Sequence, residues 1–201
     1  MRRGFLVLIV LIVVLGVGLL AVGGWFISTR NGLVTLDESV NSSWSQVQNQ
    51  YQRRMDLIPN LVETVKGVAA FEKDTYTAVS EARAKAGQTN INADQARNPQ
   101  AFQQFEQAQG QLTSALSRLL VTVEKYPELK ANSNFTQLQD ELAGTENRIA
   151  VERKRFNDVV QQYNTRIRMF PASLVAGLSN FAARPYFQAQ AGADKAPTVK
   201  F

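Results

Sequence analysis

The best candidates for a specific site are four polar residues that flank a proline. Arg53, Arg54, Asp56 and Asn60 lie around Pro59. Proline removes a backbone hydrogen bond from a helix interior, and guanidinium groups beside such a break can bind a ligand. The spacing therefore allows a polar binding notch at this point.

The same residues also fit a structural role, which we favour. Asp56 would accept hydrogen bonds from backbone N–H groups freed near Pro59. Arg54 lies next to an apolar stripe and would pair with Glu72 or Glu152 of a facing helix, as a buried ion pair that specifies arrangement.

The composition argues against most catalytic chemistry. The chain has no histidine and no cysteine, so it lacks the commonest general base and the thiolate and imidazole metal ligands. Glu146, Glu152 and Asp158 could suggest a carboxylate cluster, but arginines interleave them. We predict no catalytic residue, no cofactor, no metal site and no enzymatic activity.

The positive charge does not point to nucleic acid. The net charge is +5, and residues 1–30 hold three arginines (Arg2, Arg3, Arg30) and no acidic residue. The densest basic run in the rest of the chain, residues 153–155, follows an acid and is typical of a solvated helix face. We predict neither a nucleic-acid partner nor a small-molecule substrate.

Residues 4–27 carry no charge and would span about 36 Å as a helix, enough for a bilayer core. A cleaved signal peptide is the alternative, since Ala21-Val22-Gly23 resembles a cleavage site, but its apolar region is usually only about 7–15 residues long. We favour a retained single-pass anchor in contact with the lipid bilayer. Arg2 and Arg3 predict a cytoplasmic N-terminus and an extracytoplasmic domain.

The stretch from Trp44 to Lys66 is amphipathic, and its apolar residues keep helical spacing through Pro59. Either one long kinked helix or two helices fit this pattern. We predict a helix break near Met55–Asn60, because residues 33–86 as one rod would be about 80 Å long. Thr35 and Glu38 match a capping box, although the membrane helix could also run straight into this stretch. Trp44 is a further candidate for a structural or interaction role.

Three more amphipathic stretches predict helices over residues 59–86, 99–126 and 134–170, followed by a short helix within residues 171–187. The fold class is all-α: an N-terminal transmembrane helix and an antiparallel up-and-down bundle of about four long helices with coiled-coil-like seams. The predicted domains are an anchor (1–30), the bundle (31–187) and a disordered tail (188–201).

Several short motifs occur in order along the chain: Asn31-Gly-Leu33, Leu36-Asp-Glu38, Trp44-Ser-Gln-Val47, Arg53 to Val62, Thr64 to Gly67, Glu81 to Ala84, Glu124 to Lys130, Glu146 to Arg155, Phe156-Asn157, Tyr163-Asn164 and Phe170-Pro171. With these motifs the chain resembles the LemA family from the anchor to about Phe187. The resemblance implies a bacterial membrane-anchored bundle of about four helices and no known enzymatic activity.

The tail ends in Val199-Lys200-Phe201 after Pro197. Apolar Val199 and Phe201 at alternate positions suit strand addition to a partner's sheet, although an unstructured end is the simpler interpretation. We therefore expect a membrane-bound scaffold or interaction module that forms a homo-oligomer or binds a membrane protein. The alternative is an adaptor that docks a membrane enzyme, such as a protease, through this tail.

Overall fold

The computed structural model describes residues 2–68 and 72–188. In this part of the chain all regular elements are helical. They are α1 (Arg2–Lys66), α2 (Lys73–Gln88), a 3-10 turn (Gln95–Arg97), α3 (Pro99–Val123), α4 (Pro127–Lys130), α5 (Ser133–Arg168) and α6 (Ala172–Leu178). The prediction of an all-α bundle behind an apolar N-terminal helix is confirmed.

Helix α1 is continuous for 65 residues, or about 97 Å. Its first part is long and apolar enough to cross a membrane, with a mean hydropathy of 2.6 in its most apolar window. The capping-box prediction at Thr35 is wrong, because Thr35 lies inside α1 and its hydroxyl donates to the carbonyl of Asn31 at 3.1 Å. The membrane helix thus runs straight into the bundle.

The predicted helix break at Pro59 is also wrong, because Pro59 lies inside α1. Proline has no N–H to donate to the carbonyl of Met55 four residues earlier. That carbonyl accepts a hydrogen bond from Nε of Arg83 in α2 instead, at 2.9 Å. A side chain from a neighbouring helix thus replaces the missing donor. The second helix accordingly begins at Lys73 and not at Pro59.

Asparagine caps fix where the two later long helices begin. Asn98 precedes Pro99, and its side chain accepts from the N–H groups of Gln100 and Ala101. Asn132 caps α5 in the same way. Both caps satisfy N–H groups that have no partner within the helix, and proline at the first helical position has no N–H that would need one. Helices α3 and α5 therefore begin within a residue of the predicted positions.

The bundle has two hydrophobic clusters along its length. The cluster near the membrane anchor surrounds Trp44 and includes Phe102, Phe156 and Tyr163. The distal cluster includes Ile58, Leu61, Leu119 and others from α1, α2, α3 and α5. Helix α1 packs against α5 on one side and α2 on the other, and α2 packs against α3. Helices α3 and α5 lack such close backbone contacts among the described residues, and a groove lined by side chains of both runs between them.

Helices α1 and α5 are antiparallel in a register given by two contacts. Arg54 pairs with Glu146, and the rings of Trp44 and Phe156 lie 5.5 Å apart. Both contacts imply the same offset, so Leu33 lies beside Ile167 close to the membrane anchor. The C-terminal end of α5 is therefore the membrane-proximal end of the bundle.

After α6 the chain turns back along the bundle. Asn180 has a φ of 57°, and the N–H of Phe181 donates to the carbonyl of Ala176 at 3.0 Å. This is a Schellman motif, which places a left-handed residue just after the helix end. Residues 181–188, here called the C-terminal strap, follow without regular secondary structure.

Candidate interaction site

Arg54 forms a polar layer between the two hydrophobic clusters. Its side chain is buried and donates to Thr113 Oγ1 at 2.9 Å, to Glu146 Oε2 at 2.9 Å and to Gln109 Oε1. Its Nε atom has no acceptor among the described residues. The predicted partners Glu72 and Glu152 were wrong, because these pair with Lys125 and Arg155.

The other residues around Pro59 do not converge with Arg54. Asp56 is exposed and accepts from the side-chain amide of Gln52 at 2.7 Å, so the expected bond from a freed backbone N–H does not form. Asn60 and Pro59 are exposed. Arg53 lines a shallow polar concavity against α5 on a different face. The four polar residues predicted to form a notch therefore point in different directions.

Trp44 is the centre of an aromatic cluster from four segments. Its ring lies within 6 Å of Phe102, Phe105, Phe156 and Phe187, and its Nε1 donates to the carbonyl of Ile91 at 3.2 Å. Such ring pairs stabilise a core beyond their buried area. Trp44 therefore packs between α1, α3, α5 and the strap.

The C-terminal strap is held by two asparagine clamps on α5. Asn164 donates to the carbonyl of Arg184 and accepts from its N–H, both at 2.9 Å. Asn157 makes the same pair of bonds with Phe187, at 3.0 and 2.9 Å. The clamps are seven residues apart on α5, about 10 Å, and they hold residues only three apart in the strap. The strap is therefore close to fully extended.

A buried ion pair fixes the start of the strap. Arg184 donates to Asp37 Oδ1 at 2.7 Å and to Asn41 Oδ1 at 2.8 Å, and Arg97 also pairs with Asp37. Hydrogen bonding to Asp37 raises the pKa of Arg97 against the opposing effect of burial. Nothing in the sequence pattern pointed to Arg184, because it lies outside the periodic helices.

The end of the strap lies on a partly buried carboxylate in the α3–α5 groove. Glu106 accepts from the N–H of Gln188 at 3.2 Å and from Arg153 at 3.4 Å. Burial raises the pKa of Glu106 against the effects of the Gln188 N–H and of Arg153. Burial likewise raises the pKa of Tyr51. Arg153 also lies over the ring of Phe187, with 4.5 Å to its centroid.

The α3–α5 groove continues past Gln188. Its first part is a cavity of about 460 Å³ that offers polar side chains, among them Gln103, Gln107 and Gln109. Its second part, about 220 Å³, begins at the Arg54–Thr113–Glu146 layer and is lined mainly by apolar atoms of Leu116, Leu120, Leu142 and Ala143. The groove thus presents amide groups first and an apolar floor after them.

The three acidic residues considered for metal binding are separated. Glu146 contacts Arg54, Glu152 contacts Arg155 and Asp158 contacts Lys154. Among the described residues no three acidic side chains converge on one point. The arrangement around the groove favours the binding of a polypeptide, because its side-chain amides can pair with a peptide backbone as Asn157 and Asn164 do.

The residues that line the groove or hold the strap were only partly predictable from the sequence. Gln109 occupies the helical position between Phe105 and Leu112 in an otherwise apolar stripe, and this break in the pattern could have identified it. Asn157 and Asn164 occur in motifs shared with the family, but their partners in the strap could not be read from spacing. Val199 and Phe201 lie outside the described residues.

Known proteins similar to this chain include magnetosome proteins and a LemA protein. Magnetosome protein MamQ 2 of Paramagnetospirillum magneticum is 26% identical over 82% of this chain and 66% of its own length. Magnetosome protein MamQ of Magnetospirillum gryphiswaldense is 27% identical over the same shares. Protein LemA of Metamycoplasma hominis is 22% identical over 75% of this chain and 65% of its own length.

The chain therefore spans about two thirds of the length of these curated relatives. The family model described as the LemA family matches residues 43–201, which include the Trp44 cluster, the Arg54 layer and the strap. The chain belongs to the LemA family.

Proposed function

We propose that this chain is a membrane-anchored, non-enzymatic scaffold whose α3–α5 groove binds an extended segment of a second copy. The observation that carries the proposal is the strap, an extended polypeptide that is held along α5 by paired hydrogen bonds to Asn157 and Asn164 and that enters this groove at Glu106. The groove continues for two further cavities beyond Gln188.

The position of the groove supports a partner in the same membrane. Because α1 continues directly from the apolar segment into the bundle, copies in one bilayer present their grooves at the same height. A peptide in the groove would meet the amides of Gln103 and Gln107 and then the apolar side chains of Leu120 and Leu142. Paired backbone bonds provide affinity, and apolar pockets provide specificity.

The first test measures the size of the full-length particle by gel filtration in mild detergent. Ala143 is exposed and lines the groove, so Ala143→Arg would fill the groove without burying a charge. Ala84→Arg makes the same change at an exposed position of α2, outside the groove lining, and is the matched control. We expect a homomeric particle for the wild type and for Ala84→Arg, and a smaller particle for Ala143→Arg. A monomeric wild type would contradict self-assembly.

The second test identifies the occupant by photo-crosslinking in cells. A benzoylphenylalanine at Leu120 faces the groove, whereas one at Val121 faces away, since Val121 is 69% exposed. Adducts between two differently tagged copies at position 120 only would support the scaffold. An adduct confined to the same copy's own residues 189–201, or equal adducts at both positions, would contradict it. A specific adduct with an enzyme, lost in Ala143→Arg, would favour the adaptor.

A further inference from the structure

Helix α6 carries an apolar stripe that the bundle does not cover. Leu174 and Leu178 are 57% and 77% exposed, and their spacing of four residues places them on one side of α6. Met169 and Phe170, in the turn between α5 and α6, are 53% and 80% exposed and complete the stripe. The opposite side of α6 is buried against α1 and α5 through Ala172, Val175 and Ala176.

This stripe lies at the membrane-proximal end of the bundle. The register of α1 and α5 places Ile167 beside Leu33, and α5 ends one residue later, at Arg168. Leu33 is six residues, about 9 Å along α1, beyond the end of the apolar segment at Ile27. Phe26, within that segment, packs against the membrane-proximal cluster, which also contains Val175 and Ala176. Helix α6 follows this end of α5 in the chain and packs against α1 and α5, so the stripe lies at the end of the bundle that is close to the apolar segment.

The charges around the stripe are basic. Residues 166–188 contain no acidic residue, and α1 has none before Asp37. Asp37 itself is paired with Arg184 and Arg97. Arg30, Arg166 and Arg168 are exposed. Apolar side chains combined with neighbouring basic residues are the combination that binds the headgroup boundary of a bilayer.

We propose that Met169, Phe170, Leu174 and Leu178 form a membrane foot, which inserts into the surface of the bilayer crossed by residues 4–27. A lipid surface fits better than a second copy. Four side chains can bury much less surface area than the roughly 800 Å² that each partner buries in a specific protein interface. With the foot and the span in one bilayer, the bundle would stand on the membrane in a fixed orientation. The inference rests on insertion of the span and is independent of the groove.

The test uses the full-length chain in liposomes and a single environment-sensitive label. Because the chain has no cysteine, Leu174→Cys or Leu178→Cys can be labelled uniquely with a nitrobenzoxadiazole dye. Lipids that carry a nitroxide at the headgroup quench this dye only when it lies at the membrane surface. Val121→Cys is the matched control, an exposed apolar residue at the distal end of α3, and Ile12→Cys with a nitroxide deep in the acyl chains reports insertion of the span.

We expect headgroup-nitroxide lipids to cause a loss of emission at positions 174 and 178 and no loss at position 121. Quenching at position 12 with full emission at 174 and 178 would overturn the foot while leaving the anchor intact. A blue-shifted but unquenched dye at 174 would also overturn it, since protein and not lipid would then cover the stripe. No quenching at position 12 would refute insertion of the span and the foot together.

Discussion

The guanidinium of Arg54 binds one side chain of α5 and two of α3, with Glu146 on one side and Gln109 and Thr113 on the other. Among the described residues the backbones of these two helices lack the close contacts that each makes with its other neighbours. The arginine therefore links them across the groove at one level of the bundle. A charge in this position adds little net stability, but it specifies which turns of the helices face each other.

Loss of Arg54 should cost far more than loss of its neighbour. Arg54→Ala leaves Gln109 and Thr113 without their donor and opens a cavity, so we expect unfolding free energy to fall by about 2–4 kcal/mol. Arg53→Ala removes an exposed side chain and should cost less than about 0.5 kcal/mol. Denaturant unfolding of the two variants in the same detergent would measure the difference. Equal losses of unfolding free energy in the two variants would mean that the polar layer stabilises the fold no more than an exposed arginine does.

Glu106 should make the stability of the chain depend on pH in a predictable direction. Its pKa is raised from 4.5 in the folded state, so the folded chain holds this proton to higher pH than the unfolded chain. Below pH 4.5 the carboxyl is protonated in both states and does not change the free energy of unfolding. As pH rises from 4.5 to the folded pKa, the carboxyl lowers the free energy of unfolding by a growing amount. We expect the wild type to lose stability relative to Glu106→Gln across this interval.

Glu106→Gln is a suitable reference because it keeps an oxygen that accepts the N–H of Gln188 and does not titrate. Thermal melts of both proteins at a series of pH values from 4 to 8 would give the comparison. If the wild type instead gained stability relative to the variant as pH rises, the prediction would be contradicted. That result would show that pairing with Arg153 outweighs the effect of burial on Glu106.

Helix α1 shows why local signals can predict a helix boundary where none exists. Pro59 in an otherwise regular helix predicts a break, because the carbonyl of Met55 loses its donor. The donor that replaces it, Nε of Arg83, belongs to α2. Sequence spacing carries no information about which distant side chain reaches that carbonyl, so tertiary contact overrides the local rule.

A double-mutant cycle tests this replacement. Arg83→Ala should cost about 1–2 kcal/mol in the wild type, because the Met55 carbonyl is then left unpaired. In Pro59→Ala the backbone N–H at position 59 can donate to that carbonyl, and the cost of Arg83→Ala should largely disappear. The measurement is the coupling free energy from four denaturant curves. Additive effects, with no coupling, would show that Arg83 does not replace the missing donor.

The other helices were predictable to different degrees. The starts of α3 and α5 follow from Asn98-Pro99 and Asn132, since capping is a local interaction. The amphipathic stripes also predicted most of the core, including Phe102, Leu112 and Ile149. The strap was not predictable, because Arg184, Phe187 and Gln188 have no periodicity and are held by side chains far away in sequence.

In the whole molecule, one continuous helix joins the apolar N-terminal segment to the bundle that contains the α3–α5 groove. One helix runs from the apolar segment to Lys66, and residues 28–66 would extend about 58 Å from the membrane. The groove lies along this helix, with Arg54 at its middle. All-α architecture followed from composition and periodicity, whereas the open side between α3 and α5 follows only from how the helices pack.

Topology is the last prediction. Arg2 and Arg3 precede the apolar segment, and Arg30 alone follows it within about 20 residues, so the bundle should be extracytoplasmic. Asn90 is exposed in the loop after α2, whereas its neighbour Thr89 is half-buried and bonded to Lys85. Asn90→Cys should therefore react with an impermeant maleimide added to intact spheroplasts, and Arg2→Cys should react only after permeabilisation. The reverse pattern would place the bundle, the groove and the partner segment in the cytoplasm.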